Sequence, residues 1–209
     1  MNIKMFFSLT SLFILILTSI PSHAQKVNRV EDVVEKTNKV SQNLTSRYAK
    51  LETLLKAQDF RAADLETDKV MLAVANRESE GYLSIEDAEK FPCKELRSID
   101  QLWLKYSRGK FGISVQQQIY QSLGGTKEYK NEVWESMGDR VGWRQGGQWL
   151  YYYELNFSQT APSGLLPTYQ TLYPWCEGVR CLVGMFPVLL GFPSCPEMQS
   201  VTHKNFQRS

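Results

Sequence analysis

Histidine is almost absent from this chain, which has two among its 209 residues, His23 and His203. Zinc sites with imidazole ligands, Ser-His-Asp triads and Cys-His dyads all need a histidine at the reacting centre. A Gly-x-Ser-x-Gly nucleophile turn and a glycine-rich phosphate loop are also missing from the sequence. We therefore expect a non-enzymatic protein with no metal site and no required cofactor.

The chain also lacks an excess of charge of one sign. It has 24 Lys+Arg and 22 Asp+Glu, for a formal net charge of +2. Proteins that bind nucleic acid through a basic field carry a clear positive excess, so we expect no nucleic-acid partner. Hydrophobic residues make up 43% and charged residues 22% of the chain, values that are typical of a folded globular domain.

Long apolar runs are confined to the N-terminus, where residues 5–20 (MFFSLTSLFILILTSI) carry no charge. Lys4 precedes the run, Pro21 follows it, and Ser22-His23-Ala24 has the pattern of a cleavage site. The run is short for a bilayer span, which needs roughly 20 apolar residues. We predict that residues 1–24 are a signal peptide cleaved after Ala24, with an uncleaved anchor helix as the alternative. The mature chain is then secreted or periplasmic.

The four cysteines are Cys93, Cys176, Cys181 and Cys195. The spacings among the last three do not match the common zinc-binding patterns, and disulfides form in exported proteins. The pairing stays open, because four cysteines allow three connectivities. We expect one bridge among the three C-terminal cysteines and interpret Cys93 as a buried thiol.

Apolar residues recur at helical spacing along most of the mature chain, which predicts an all-α fold. The pattern indicates a compact single domain of about seven or eight short helices with a long C-terminal loop. The predicted helices include a pair over residues 51–75 and single helices over residues 84–91, 94–106, 114–123 and 127–137. The aromatic residues 148–157 are compatible with a strand or with a short buried helix. Prolines concentrate in the last fifty residues, so 161–180 is predicted to be a long loop.

The same patterns divide the chain into four parts. After the leader, residues 25–47 are predicted to form an amphipathic helical arm with a thin apolar stripe. Residues 48–196 form the main domain. Residues 197–209 are polar and are predicted to be a flexible tail.

Several motifs together resemble the genomes-uncoupled-four family over about residues 48–190. They are Phe91-Pro92-Cys93, the IDQLW run at 99–103, the KYS run at 105–107, the FGISVQ run at 111–116 and the GDRVGWR run at 138–144. An Ala-Pro-x-Gly-x-Leu-Pro turn follows at residues 161–167. Motifs of this length, in this order, are highly specific.

The resemblance implies a small all-α domain that binds protoporphyrin or magnesium-protoporphyrin, as do the family's regulators of magnesium chelatase. The ligand lies on an apolar surface walled by a late loop, here 158–180, and by an early loop, here 76–93. This mode of binding needs no axial histidine. The candidate porphyrin contacts are apolar side chains and three arginines: Leu83, Phe111, Arg140, Trp143, Arg144, Phe157, Leu165, Leu166, Trp175, Arg180, Met185 and Phe186.

The chain departs from the family pattern in ways that bear on function. Its turn reads Gly164-Leu165-Leu166-Pro167, where family members usually have Gly-His-Leu-Pro, and residues 158–179 contain no Lys or Arg. Since magnesium chelatase is cytoplasmic, an exported chain is not expected to regulate it. We predict an exported tetrapyrrole-binding protein of a cyanobacterium or related phototroph that sequesters, carries or senses its ligand. The alternative is a periplasmic interaction module, with a periplasmic or membrane protein partner, that has lost porphyrin binding.

Overall fold

The computed structural model of the chain describes residues 29, 32–36, 47–126 and 128–168. The chain divides into two compact units, residues 1–43 and residues 44–209. In the first unit, residue 29 and residues 32–36 are helical, within the predicted arm. The predicted signal peptide, the predicted tail and the late loop beyond residue 168 lie outside the described residues.

The second unit confirms the all-α fold. Its helices are α1, helical over residues 47–56, followed by α2 (Phe60–Ala75), α3 (Ile85–Glu89), α4 (Cys93–Ser107), α5 (Ile113–Ser122) and α6 (Asn131–Val141). Two short antiparallel strands follow, β1 (Arg144–Gln145) and β2 (Gln148–Trp149), paired Arg144 to Trp149 and Gln145 to Gln148. A 3-10 turn, Tyr152–Glu154, comes last. The aromatic segment 148–157 therefore contains both an extended piece and a helical turn.

Side-chain caps define where the helices begin. The Asp59 carboxylate accepts the Ala62 N–H at 3.1 Å and starts α2. Ser84 and Asp87 form a reciprocal capping box at the start of α3. The start of α6, predicted at residue 127, lies four residues later at Asn131. The backbone of Lys130 is extended, with φ −130° and ψ 121°, and so breaks the helical path directly before Asn131.

The junction of α4 and α5 depends on a buried carboxylate. Asp100, on α4, accepts the Ser114 N–H at 2.9 Å and so caps α5 from a neighbouring helix. Gly112 lies between the two helices with φ +145°, and a Cβ there would stand 2.8 Å from the Asp100 carboxylate oxygen. The FGISVQ motif therefore needs glycine at this position for both space and backbone conformation. Burial raises the pKa of Asp100.

Aromatic rings fill the core between α2 and α4. The centre of the Phe60 ring lies 6.1 Å from that of Trp103 and 5.2 Å from that of Phe111, and all three side chains are buried. The Trp103 indole N–H donates to the Thr67 hydroxyl at 3.0 Å, so its polar edge is paired inside the core.

A second aromatic cluster joins α6 to the β-hairpin. The centre of the Trp134 ring lies 5.8 Å from the ring centres of both Trp143 and Trp149. Gly138 permits this packing, because a Cβ there would approach the Trp149 ring to 2.6 Å. The GDRVGWR motif is therefore a packing motif of the α6–hairpin corner.

Residues 158–168, here called the late segment, return to the core without forming a helix. The Gln116 side-chain amide donates to the carbonyls of Gly164 at 2.9 Å and Pro167 at 2.8 Å. The Trp143 indole donates to the Leu165 carbonyl at 2.8 Å, and the Gly112 N–H donates to the Leu166 carbonyl at 3.0 Å. The Leu166–Pro167 peptide bond is cis.

Replacing Gln116 with Leu should therefore destabilise the domain by roughly 3 kcal/mol, because two buried carbonyls lose their donor. The matched change Gln121→Leu, at an exposed position on the same helix, should cost less than about 0.5 kcal/mol. Urea unfolding of both variants measures the difference. Equal stability of the two variants would contradict a fixing role for Gln116.

Candidate functional site

Apart from Arg144, the predicted ligand contacts fall into three groups in the structure. Five of them are at most 1% exposed and pack in the hydrophobic core: Leu83, Phe111, Trp143, Leu165 and Leu166. Phe157 is half-buried and Arg140 is exposed in the last turn of α6. Trp175, Arg180, Met185 and Phe186 lie outside the described residues, as do Cys176, Cys181 and Cys195. The structure thus brings Leu165 and Leu166 together with Phe111 and Trp143, as core packing.

Arg144 has its charge matched by acidic residues of α6. Its guanidinium lies 2.9 Å from the Asp139 carboxylate and 3.4 Å from the Glu135 carboxylate. The arginine side chain is 17% exposed. A carboxylate of a ligand would have to compete with both of these acidic groups.

The late segment is attached to α2 by a buried carboxylate. Asp64 is fully buried and accepts both the Thr168 N–H at 2.7 Å and the Thr168 hydroxyl at 2.6 Å. Burial raises the pKa of Asp64 to about 6, although the two hydrogen bonds from Thr168 act in the opposite direction. Asp64 therefore positions the chain where it enters the predicted late loop.

One turn earlier on α2, an arginine covers two aromatic rings. The Arg61 guanidinium carbon lies 4.2 Å from the centre of the Phe157 ring and 5.4 Å from that of Tyr152. The two rings meet edge to face, with their centres 4.9 Å apart. We call Arg61, Tyr152 and Phe157 the arginine–aromatic cluster. Burial and the Asp64 carboxylate both raise the pKa of Tyr152, so its hydroxyl stays protonated.

Two more aromatic rings are exposed at the start of the 3-10 turn Tyr152–Glu154. Tyr151 and Tyr153 stack with their centres 5.5 Å apart and their planes within 5°, and they are 47% and 70% exposed. Residues 151–157 therefore present aromatic rings at the surface, and Arg61 on α2 adds a guanidinium beside them. This combination can bind a flat apolar ligand that carries negative charge at its edge.

The predicted early loop is held by an arginine and two acidic residues. The Arg77 guanidinium pairs with Asp87 at 3.0 Å and with Glu80 at 3.2 Å. Burial opposes ionisation of Asp87, but hydrogen bonds from Ser84 and Arg77 outweigh it and lower the pKa of Asp87. The loop therefore has a defined shape at neutral pH.

Our interpretation of Cys93 as a buried thiol is wrong. Cys93 begins α4, is half-buried and is disulfide-bonded, and its bonding partner lies outside the described residues. The interpretation rested on the closeness of the other three cysteines in the sequence, which favours a bridge among them. A disulfide instead requires its two Cα atoms to lie within about 7 Å in the folded chain.

Among the residues that the structure describes, no group of three or more His, Cys, Asp or Glu side chains could hold a metal ion. The helices in this part of the chain are also too short or too polar to cross a bilayer.

Two residues of this site, the exposed Arg61 and the buried Asp64, are not among the predicted contacts. A signal for Asp64 was present in the sequence. It lies four residues after Phe60 and three before Thr67, on the buried face of α2, where a carboxylate needs a hydrogen-bond partner. Arg61 carried no such signal, because the rings beneath it are about ninety residues later in the chain.

Comparison with known proteins places most of the chain in one family. Residues 41–182 match the sequence model of a family described as GUN4-like. The ycf53 protein of Pyropia yezoensis is 33% identical over 144 residues, which cover 66% of this chain and 55% of that protein. The Ycf53-like protein of Synechocystis is 32% identical over 142 residues, 66% of this chain and 56% of its own length. The chain thus spans little more than half the length of these curated relatives.

A shorter match concerns a protein named for its ligand. The chloroplastic tetrapyrrole-binding protein of Arabidopsis thaliana is 36% identical over 72 residues, 34% of this chain and 27% of that protein. The ligand-free structure of Arabidopsis thaliana GUN4 superposes with a TM-score of 0.57 and 24% identity, covering 71% of this chain and 96% of that one. GUN4 from Chlamydomonas reinhardtii gives a TM-score of 0.53 and 22% identity, covering 70% and 89%. These structures share the fold.

The raised pKa of Asp64 predicts an unusual dependence of stability on pH. The native state binds this proton more tightly than the unfolded chain does, so stability from Asp64 increases as pH falls from about 7 through 6 towards 4. Asp64→Asn, which keeps an oxygen to accept the Thr168 N–H, should lack this increase. The free energy of unfolding in urea at about pH 7.5 and about pH 4.5 measures it.

Asp59→Asn is the matched control, since it removes an exposed carboxylate from the start of the same helix and asparagine caps equally well. Its pH profile should run parallel to that of the unmodified chain. If the Asp64→Asn profile is also parallel, the Asp64 carboxyl does not titrate differently in the folded state.

Proposed function

Because the chain belongs to the GUN4-like family, we propose that it is a non-enzymatic protein that binds a tetrapyrrole of the protoporphyrin or magnesium-protoporphyrin type. The observation that carries the proposal is the family match over residues 41–182. The similarity of a 72-residue stretch to a tetrapyrrole-binding protein of Arabidopsis thaliana supports the same ligand class.

The described surface has the chemistry that such a ligand requires. A porphyrin is a large flat apolar ring, and burial of its faces contributes roughly 25 cal/mol for each Å² removed from water. Phe157 is half-buried, and the stacked pair Tyr151 and Tyr153 lies beside it in the sequence with much of its ring surface exposed. Binding of this kind does not depend on a histidine ligand to a central metal ion.

The role we propose is sequestration, carriage or sensing of the tetrapyrrole outside the cytoplasm. Residues 1–24 have the pattern of a cleaved signal peptide. The disulfide at Cys93 supports an oxidising compartment. Regulation of magnesium chelatase is not part of this proposal, because that enzyme would lie on the other side of the membrane.

Titration with protoporphyrin tests ligand binding directly. The chain has five tryptophans, and Trp149 is half-buried at the hairpin. We expect saturable quenching of tryptophan fluorescence at roughly micromolar ligand. Phe157→Ala should weaken the binding several-fold, since it removes a ring from the proposed surface. Tyr129→Ala, which removes a 43% exposed ring before α6, should bind as the unmodified chain does.

A second candidate function is favoured by one observation, the absence of Lys and Arg from residues 158–179. A family member that had lost porphyrin binding would keep the fold and act as a periplasmic protein-interaction module. Absence of saturable quenching in a correctly folded chain would reject the tetrapyrrole proposal and favour this one. Capture of partners from membrane extracts, with and without porphyrin, then separates the two.

Export predicts the N-terminus of the mature protein. When the full chain is expressed in a Gram-negative host, the periplasmic fraction should contain a species that begins at Gln25. Edman sequencing or mass spectrometry of the intact protein measures this. A chain with its apolar run replaced by a polar one is the control and should stay in the cytoplasm. Recovery of the unmodified chain from the cytoplasm alone would reject export.

A further inference from the structure

Arg61 is held in one orientation while its charge remains open to solvent. It is exposed in the first turn of α2, and its guanidinium carbon lies over the Phe157 ring, 4.2 Å from the ring centre. A guanidinium has five N–H donors, and contact with rings on one side leaves donors that can still bind an anion. None of the ion pairs formed by the described residues includes Arg61.

Two other basic groups near the late segment, Arg144 and Lys110, are already engaged. Arg144 pairs with Asp139 and Glu135. The Lys110 ammonium donates to the Gln159 carbonyl at 2.6 Å. Since residues 158–179 contain no Lys or Arg, a positive charge at this surface has to come from another element, and Arg61 on α2 supplies one.

The acidic residues near Arg61 are occupied by the fold. The Asp59 carboxylate accepts the Ala62 N–H at the start of α2, and the buried Asp64 accepts two hydrogen bonds from Thr168. Asp68 is buried on the same helix. These charges oppose anion binding, but Asp64 and Asp68 lie beneath the surface, whereas a ligand would approach Arg61 from solvent. The positive end of the α2 dipole acts in favour of an anion there.

We propose that Arg61 is the residue that binds a carboxylate of the tetrapyrrole, in place of the basic residues that the late loop lacks. The inference rests on the proposed function and extends it to the ligand class: a flat macrocycle with acidic side chains. The macrocycle lies beside Phe157, and one of its carboxylates accepts hydrogen bonds from the edge of the Arg61 guanidinium. Charge-assisted pairs of this geometry are among the stronger polar contacts in proteins.

The test compares a porphyrin that carries carboxylates with one that does not. Deuteroporphyrin and its dimethyl ester share the same macrocycle, and only the first has free carboxylates. We expect Arg61→Gln to weaken deuteroporphyrin binding about tenfold and to change binding of the ester by less than about twofold. Arg61→Lys keeps the charge but loses the planar fork, and should give an intermediate loss for deuteroporphyrin.

Lys69→Gln is the matched control, because it removes the same charge from an exposed position two turns further along α2. It should leave the affinity for both porphyrins unchanged. The thermal unfolding midpoint of each variant is measured beside the titrations. If Arg61→Gln does not fold, Arg61→Lys carries the same comparison of acid and ester.

Each remaining outcome has a distinct meaning. Equal weakening for acid and ester would show that Arg61 supports the packing of the rings, and would overturn the carboxylate contact. Unchanged affinity of Arg61→Gln for deuteroporphyrin would overturn it as well, while the proposed function would stand. If the unmodified chain binds neither porphyrin, the proposed function fails, and the role of Arg61 fails with it.

Discussion

The fold depends on one constraint, which is that an irregular segment is buried in its core. Residues 164–168 are buried but form neither helix nor strand, so their backbone polar groups cannot pair with each other. Side chains from three helical regions meet this need: Asp64 on α2, Gln116 on α5 and Trp143 after α6. Each of these contacts also holds its own helix against the others. The late segment is therefore the element around which the helices are arranged, as well as the first part of a proposed ligand wall.

The helices could be predicted from sequence because their signals are local. Apolar periodicity and caps such as Ser84 with Asp87 lie within a few residues of the element they define. The start of α6 was predicted four residues too early, since the backbone is extended at Lys130, where propensity alone favours a helix. The aromatic run after Gln148 could not be assigned to one type of element, because a short strand and a helical turn both occur within ten residues.

The candidate site was less predictable because its geometry is long-range. The apolar candidates Phe111 and Trp143 were chosen for their chemistry, yet the fold uses both as core packing. Arg61 gains its orientation from rings at Tyr152 and Phe157, a relation that no local pattern contains. Cys93 shows the same limit, because nearness in sequence does not determine which sulfur atoms meet in the folded chain.

The hydrogen bonds between Asp64 and Thr168 join residues 104 positions apart. Until Thr168 is in place, the buried Asp64 carboxylate lacks both of these hydrogen bonds, which is unfavourable. The early helices therefore cannot complete their core during synthesis before the late segment has emerged. Contacts this distant in sequence slow folding, since the loop between them must close first. The order of synthesis therefore matters for this fold, because residue 168 has to leave the ribosome before the buried carboxylate of α2 gains these hydrogen bonds.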